Sequence, residues 1–324
     1  MDARETASLH IDSDRDSQEG TTYSLNSAAT RYRYENGRTY SAYREFQYWG
    51  PNDLRMLNHE NIVHHLCLLT MEDRLFLAPV ENPQRVLDIG TGRGLWAVRD
   101  MADKFPNAQI TGVDISPQPE RSQPLNVEFI QDDVLSPWVG YGDGEESYDL
   151  IHIRGLFGSV ADWPALYAEI FRHLKPGGYI EQMEFSVHNR SDDGTLAPDA
   201  VLAKWSAYAK EAGERNGTTA EIAEQMFELI REAGFEDVTL KRYKWPIGTW
   251  SRDALHKKIG YWNVVNWEQG VEGWAMHLFT NVLGWTKERV DEWVKTVHEA
   301  LKDRKQHVYH YAPLVYARKP ERSV

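Results

Sequence analysis

The stretch Val86-Leu-Asp-Ile-Gly-Thr-Gly-Arg-Gly-Leu-Trp96 places Gly90, Gly92 and Gly94 at alternate positions, with Asp88 two residues ahead of the first. Glycines so spaced turn a chain tightly and admit a ligand where a Cβ would collide. A helix that follows them aims its free N–H groups at the same point. The spacing is G-x-G-x-G, not the G-x-G-x-x-G of a dinucleotide site, and no Lys-Ser/Thr pair follows as in a phosphate loop. Asp114 stands 20 residues beyond Gly94, where an acidic side chain meets ribose hydroxyls. Asp132 and Asp133 follow the next apolar run, and a carboxylate there can accept from an exocyclic adenine amine. Singly, such aspartates cap helices and such glycines make turns. Their joint order and spacing point instead to one cleft.

Two other groups invite a chemical reading. His59-Glu60 followed by His64 approaches the H-E-x-x-H zinc helix, but the second histidine comes five residues on. Five helical steps swing it about 140° from His59, so zinc is rejected, and no other His/Cys cluster has metal spacing. Cys67, the single cysteine, sits in the apolar run His64-His-Leu-Cys-Leu-Leu-Thr70 and reads as a core residue.

The elements that must position the cleft follow from periodicity. Apolar runs at Arg85–Gly90, Ala108–Ser116, Val127–Gln131 and Tyr148–Ile153 alternate with helical patterns such as Gly94–Phe105 and Ala165–Leu174. Lys175-Pro-Gly-Gly178 turns into a further strand, Tyr179–Phe185. Strands alternating with helices predict a parallel sheet covered on both faces, with ligands at the carboxyl ends of its strands. Gly234–Gly248 and His307–Pro320 read as the last two strands, separated by a tryptophan-rich helical insert over about 250–303. Ahead of the sheet, 29–80 reads as an N-terminal helical or lid segment, in which tyrosine and arginine interleave from Arg31 to Tyr48. Residues 1–28 are polar and serine-rich and read as a disordered tail. The remainder, 81–324, is read as one domain.

Composition narrows the class. The chain has 324 residues, 41% hydrophobic and 26% charged, enough for a large core. A formal net charge of −13 argues against a broad nucleic-acid footprint, which needs a basic face. No apolar leader opens the chain and no run of about 18 apolar residues exists, so the expected place is the cytoplasm or nucleus, without a membrane.

With these residues in order, the sequence resembles the seven-stranded, S-adenosylmethionine-dependent (class I) methyltransferases, and more narrowly the LaeA-like methyltransferase-domain proteins of fungi. The likeness rests on Val86–Ser116, Phe129–Trp138, Tyr148–Glu181, Ala233–Trp250 and Val315–Pro320, and spans about Tyr40 to Pro320. The chain departs from the family after Pro51-Asn-Asp53, where an acidic run and an Arg-Leu pair are usual. The resemblance implies a Rossmann-like α/β sheet of order 3-2-1-4-5-7-6 that binds S-adenosyl-L-methionine. It implies that Asp88, Gly90, Thr91, Gly92 and Gly94 hold the methionine moiety, Asp114 with Ile115 the ribose, and Asp133 with Val134 the adenine, Asp132 being the alternative. His152 and Arg154 would lie beside the methyl donor.

For methyl transfer, His152 is the candidate base, or else a structural histidine bonded to the backbone. Arg154 orients an acidic acceptor or pairs with a carboxylate. Arg93 faces solvent or meets the donor carboxylate. Trp262, Trp267, Trp274 and Trp285, like Tyr40, Tyr43 and Trp49, either cover the cleft or fill the core. No Asn/Asp-Pro-Pro-Tyr/Phe follows strand four, which lowers the case for nucleobase nitrogens as acceptors. Two functions fit, an enzyme methylating a small-molecule secondary metabolite or a LaeA-like regulator acting through a protein partner, and a third is a pseudoenzyme with an intact cofactor loop. The resemblance also allows a homodimer.

Overall fold

The computed structural model describes residues 32–42, 48–116 and 124–322. The proposed tail, 1–28, and Tyr43 lie outside the described residues.

Seven strands form one sheet: β3 (Arg85–Ile89), β4 (Gln109–Asp114), β5 (Val127–Gln131), β6 (Tyr148–Arg154), β7 (Leu174–Met183), β8 (Glu236–Pro246) and β9 (Tyr309–Arg318). Their spatial order is β5-β4-β3-β6-β7-β9-β8, which is 3-2-1-4-5-7-6 counted from β3. The first five pair in parallel and β9 runs antiparallel to β7 and β8. The expected class and order are therefore observed. β3 and β6 are buried along most of their length because both their faces are covered. Leu87, Ile89, Ile151 and Ile153 pack on one face with α3 (Trp163–His173) and α5 (Ile222–Glu232). Val86, Ile110 and Leu150 pack on the other with Trp96 and Met101. The two-residue side-chain period of a strand produces that division.

The chain leaves β3 for β4 on one side and returns to β6 on the other, so the switch point lies between β3 and β6. The register sets Asp88 directly opposite His152. After the glycines the chain enters a π-helical stretch, Leu95–Met101, continued by the short α2 (Ala102–Lys104).

Ahead of the sheet, part of the segment expected to be helical is a hairpin, β1 (Tyr32–Glu35) and β2 (Arg38–Ser41). Asn36 and Gly37 form its turn at φ 50° and 82°, the left-handed pair that a two-residue hairpin loop demands. α1 (Leu54–Thr70) follows, with Asp53 as its N-cap accepting from the Met56 N–H, a cap worth about 1 kcal/mol. The insert before β9 contains α6 (Ala254–His277), a π-helical turn at Leu278–Val282, and α7 (Lys287–Ala300). With α4 (Val201–Asn216), which the sequence reading passed over, they bury a second apolar cluster around Trp205, Trp267 and Phe279. Among the described residues no helix is long and apolar enough to cross a membrane.

Candidate functional site

The glycine loop leaves the end of β3 and is tied to β4 by Gly90 and Thr91 N–H bonds to the Val113 carbonyl, at 2.8 and 3.0 Å. Gly90 and Gly92 hold φ of +69° and +54°. A Cβ on Gly90 would lie 2.4 Å from Leu156 Cδ2, and one on Gly92 3.0 Å from a Glu60 carboxylate oxygen. At both positions the left-handed backbone favours glycine, and an added side chain would press on Leu156 or Glu60. Gly94 has another role: at φ +73° it is the N-cap of the π-helical stretch, and it does not line the cavity described below.

Asp114 braces the loop from the end of β4. Its Oδ2 accepts from the Gly92 N–H at 2.9 Å and its Oδ1 from the Ser116 N–H at 2.8 Å. Burial, the largest influence, still raises its pKa, and Asp88 adds to the rise. Asp132 accepts from the Asp133 N–H and the Tyr141 hydroxyl, while Asp133 accepts from the Leu135 N–H at 2.9 Å.

Asp88 is engaged on both oxygens, Oδ1 with His152 Nδ1 at 2.8 Å and Oδ2 with the Thr91 hydroxyl at 2.7 Å. The partner of His152 is thus a carboxylate, not the backbone group weighed above. The imidazole stacks on Trp96, centroids 3.8 Å apart and planes 4° apart. Burial lowers its pKa despite Asp88. It is therefore neutral, with its Nδ1 hydrogen turned to Asp88 and Nε2 left as the basic nitrogen.

Among the described residues Arg154 pairs with no carboxylate. Its Nη2 donates to His64 Nδ1 at 3.0 Å, and His64 Nε2 donates to Asp100 at 2.6 Å. Because a guanidinium only donates, His64 Nδ1 must accept, and that sets the direction of the relay. Burial and Arg154 push the His64 pKa down to about 4. Arg154 Nη1 is buried with no partner among the described residues. Arg93 is half-buried, with its N–H donating to Glu60 and its Nη1 to the Leu57 carbonyl.

Most of the predicted site residues border one cavity of about 510 Å³. Asp88, Gly90, Thr91, Gly92, Asp114, Ile115, Asp132, Asp133, Val134, His152 and Arg154 line it. Its other end is aromatic, with Trp49, Phe157, Phe185, Trp205, Trp267 and Trp274. Trp267 and Trp274 cross edge to face at 5.4 Å. The tryptophans thus divide: Trp262 packs on His65, Trp285 packs on Tyr208 beneath the Arg289 guanidinium, and Tyr40 is wholly buried beside His277.

Sequence reasoning missed one wall. Met56, His59, Glu60 and Val63 of α1 all line the cavity. Their i, i+3, i+4, i+7 spacing is the signal that one helix face looks into it. Glu60 is pushed up to about 7, first by burial and then by Asp114.

An open sheet of this order, with a glycine loop at its switch point and acids after the next two strands, defines a Rossmann-like group-transfer fold. The chain belongs to the methyltransferase-domain family: residues 62–240 match that domain's model. It is 41% identical over 269 residues to the methyltransferase pytC of Aspergillus terreus, covering 82% of each chain. It is 37% identical to the secondary metabolism regulator LAE1 of Cochliobolus heterostrophus, covering 89% of this chain and 94% of that one. The protein-methionine methyltransferase laeA of Emericella nidulans is 32% identical, with 93% and 80% covered.

Proposed function

We propose that this protein transfers a methyl group from S-adenosyl-L-methionine to a small-molecule secondary metabolite. The observation that carries this reading is the single cavity joining a glycine-and-carboxylate end to an aromatic end. The residues present fit the donor. The loop excludes Cβ atoms, the carboxylates of Glu60 and Asp114 suit a cationic nucleoside, and the unpartnered Arg154 Nη1 suits a carboxylate. Each Asp114 oxygen retains a lone pair for a ribose hydroxyl. Asp133 with Val134 would take the adenine, Asp132 being the alternative, and all three line the cavity. Asp88 acts on the methionine end through Thr91 and His152.

When bound, the donor supplies an electrophilic methyl carbon on a sulfonium. The chain's part is to hold the acceptor in line at about 3–3.5 Å and to keep water out. Neutral His152, oriented by Asp88, takes a proton at Nε2 when the reacting atom must lose one. The similarity to LAE1 over 94% of its length supports a second reading, a regulator working through a protein partner.

Titration calorimetry should register S-adenosyl-L-methionine binding, weakened about tenfold or more by Asp114→Ala through loss of charged hydrogen bonds. Unchanged affinity refutes the ribose assignment. Mass spectrometry of deletion-strain metabolites separates the two readings. One unmethylated compound accumulates if the protein is a biosynthetic enzyme, whereas many unrelated compounds disappear if it is a regulator.

A further inference from the structure

A chain of buried polar side chains runs beside the cavity: His59 on α1, Asn263 and Asn266 on α6, and His310 on β9, all but Asn263 lining it. Its hydrogen-bond direction is set by the main chain. Asn263 Nδ2 lies 3.3 and 3.0 Å from the carbonyl oxygens of Trp245 and Pro246, and 3.1 Å from His310 Nε2. An amide nitrogen must face two carbonyls, so Asn263 Oδ1 faces Asn266 and accepts from its Nδ2 at 3.0 Å. Asn266 Oδ1 is then the atom 2.7 Å from His59 Nε2, and an amide oxygen only accepts. The His59 ring proton therefore sits on Nε2, and Nδ1 carries a lone pair.

That Nδ1 is buried and has no partner among the described residues. Burial keeps the ring neutral, and Arg38 and Arg55 further disfavour its charged form. An unmet buried acceptor is costly, and native proteins leave few of them. The ring lines the cavity edge-on to Trp274, at 5.5 Å and 75°. A site with apolar aromatic walls and one oriented acceptor selects a flat ligand carrying a hydrogen-bond donor.

We propose that His59 Nδ1 is the docking point for a hydroxyl group of the methyl acceptor, and that the acceptor is a planar, largely apolar, hydroxylated molecule held against Trp267 and Trp274. This rests on the methyltransferase reading above. His59 is a specificity and positioning residue on the acceptor, distinct from His152 at the reacting atom.

Two measurements on the full chain test it. In long-range nitrogen–proton spectra of ring-labelled histidines, assigned with His59→Phe, His59 should be the Nε2–H tautomer, and the Nδ1–H tautomer overturns the proposal. Quenching of tryptophan fluorescence should show 2-naphthol binding about threefold to tenfold tighter than 2-methoxynaphthalene, the worth of one hydrogen bond. His59→Phe should erase that preference. Wild-type protein that binds both equally or neither, or a variant that retains the preference, overturns the proposal, and the wild-type comparison needs no variant to fold. S-adenosylhomocysteine is titrated in parallel. Its failure to bind refutes the donor reading alone, and loss of the naphthol preference with that binding intact refutes the acceptor site alone.

Discussion

Glu60 stands in the sequence as the middle of a failed zinc motif, and in the fold its carboxylate lies over Gly92 and accepts from the Arg93 N–H. Its pKa of about 7 means it gains charge across neutral pH. A cationic donor favours the ionised carboxylate, so affinity for S-adenosyl-L-methionine should rise between about pH 6 and 8. Glu60→Gln should weaken binding and flatten that dependence in calorimetric titrations, and a pH-independent wild type speaks against contact. Gly92→Val should abolish binding while leaving the circular dichroism spectrum largely unchanged, because its Cβ is directed at Glu60 from a left-handed backbone. Asp88, Asp114 and His152 were legible in the sequence because each lies at or near the end of an apolar strand. Glu60 and His59 were not, because their partners, Asp114 and Asn266, are remote in the chain.

At the scale of elements, Arg38 clamps three of them together. From β2 it bonds both oxygens of Asp53, the N-cap of α1, and also Glu272 of α6. It is buried, and Arg55 reaches Glu272 only from an exposed position. Arg38→Ala leaves two partly buried carboxylates short of a cation, which costs roughly 3–5 kcal/mol for a buried pair. Urea unfolding should report that loss, and a change under about 1 kcal/mol would show the clamp to be an ordinary surface bridge. The hairpin that carries Arg38 was readable from Asn36-Gly37, a turn signal overlooked among the interleaved tyrosines and arginines. α4 and α5 also went unread, although Ile222, Ala223, Met226 and Ile230 recur at helical spacing.

Across the whole molecule, burial pushes Glu60, Glu181 and Glu184 to about 7. Glu181 accepts from the Leu77 and Ala78 N–H groups, and Glu184 from those of Leu156 and Phe157. Folded carboxyls with raised pKa bind more protons than the unfolded chain, so their stabilisation is complete below about pH 4.5 and is lost as pH rises through about 7. His59, His64 and His310, lowered to about 4, act oppositely: stability grows with pH from about 4 to 6.5 as the unfolded chain stops binding protons. The two sets oppose each other, and the histidine contribution fades as pH rises past about 6.5, where the glutamates come to dominate. Thermal melts should therefore show Tm falling between about pH 6.5 and 8, less steeply in Glu181→Gln/Glu184→Gln. A Tm that rises over that window contradicts the assignment.

The sequence by itself determined the sheet and the donor end of the cleft. Strand period, glycine spacing and the acids after each strand are local signals, and the parallel order turns them into one switch point. Only the tertiary structure decided the acceptor end. Its walls come from α1, α4, α6 and the loop after β6, and its key bond joins His59 to a residue 207 positions away. No local period records such a contact. It arises because α1 and α6 bury their apolar faces together, and that packing decides which tryptophans face the cavity and which fill the core.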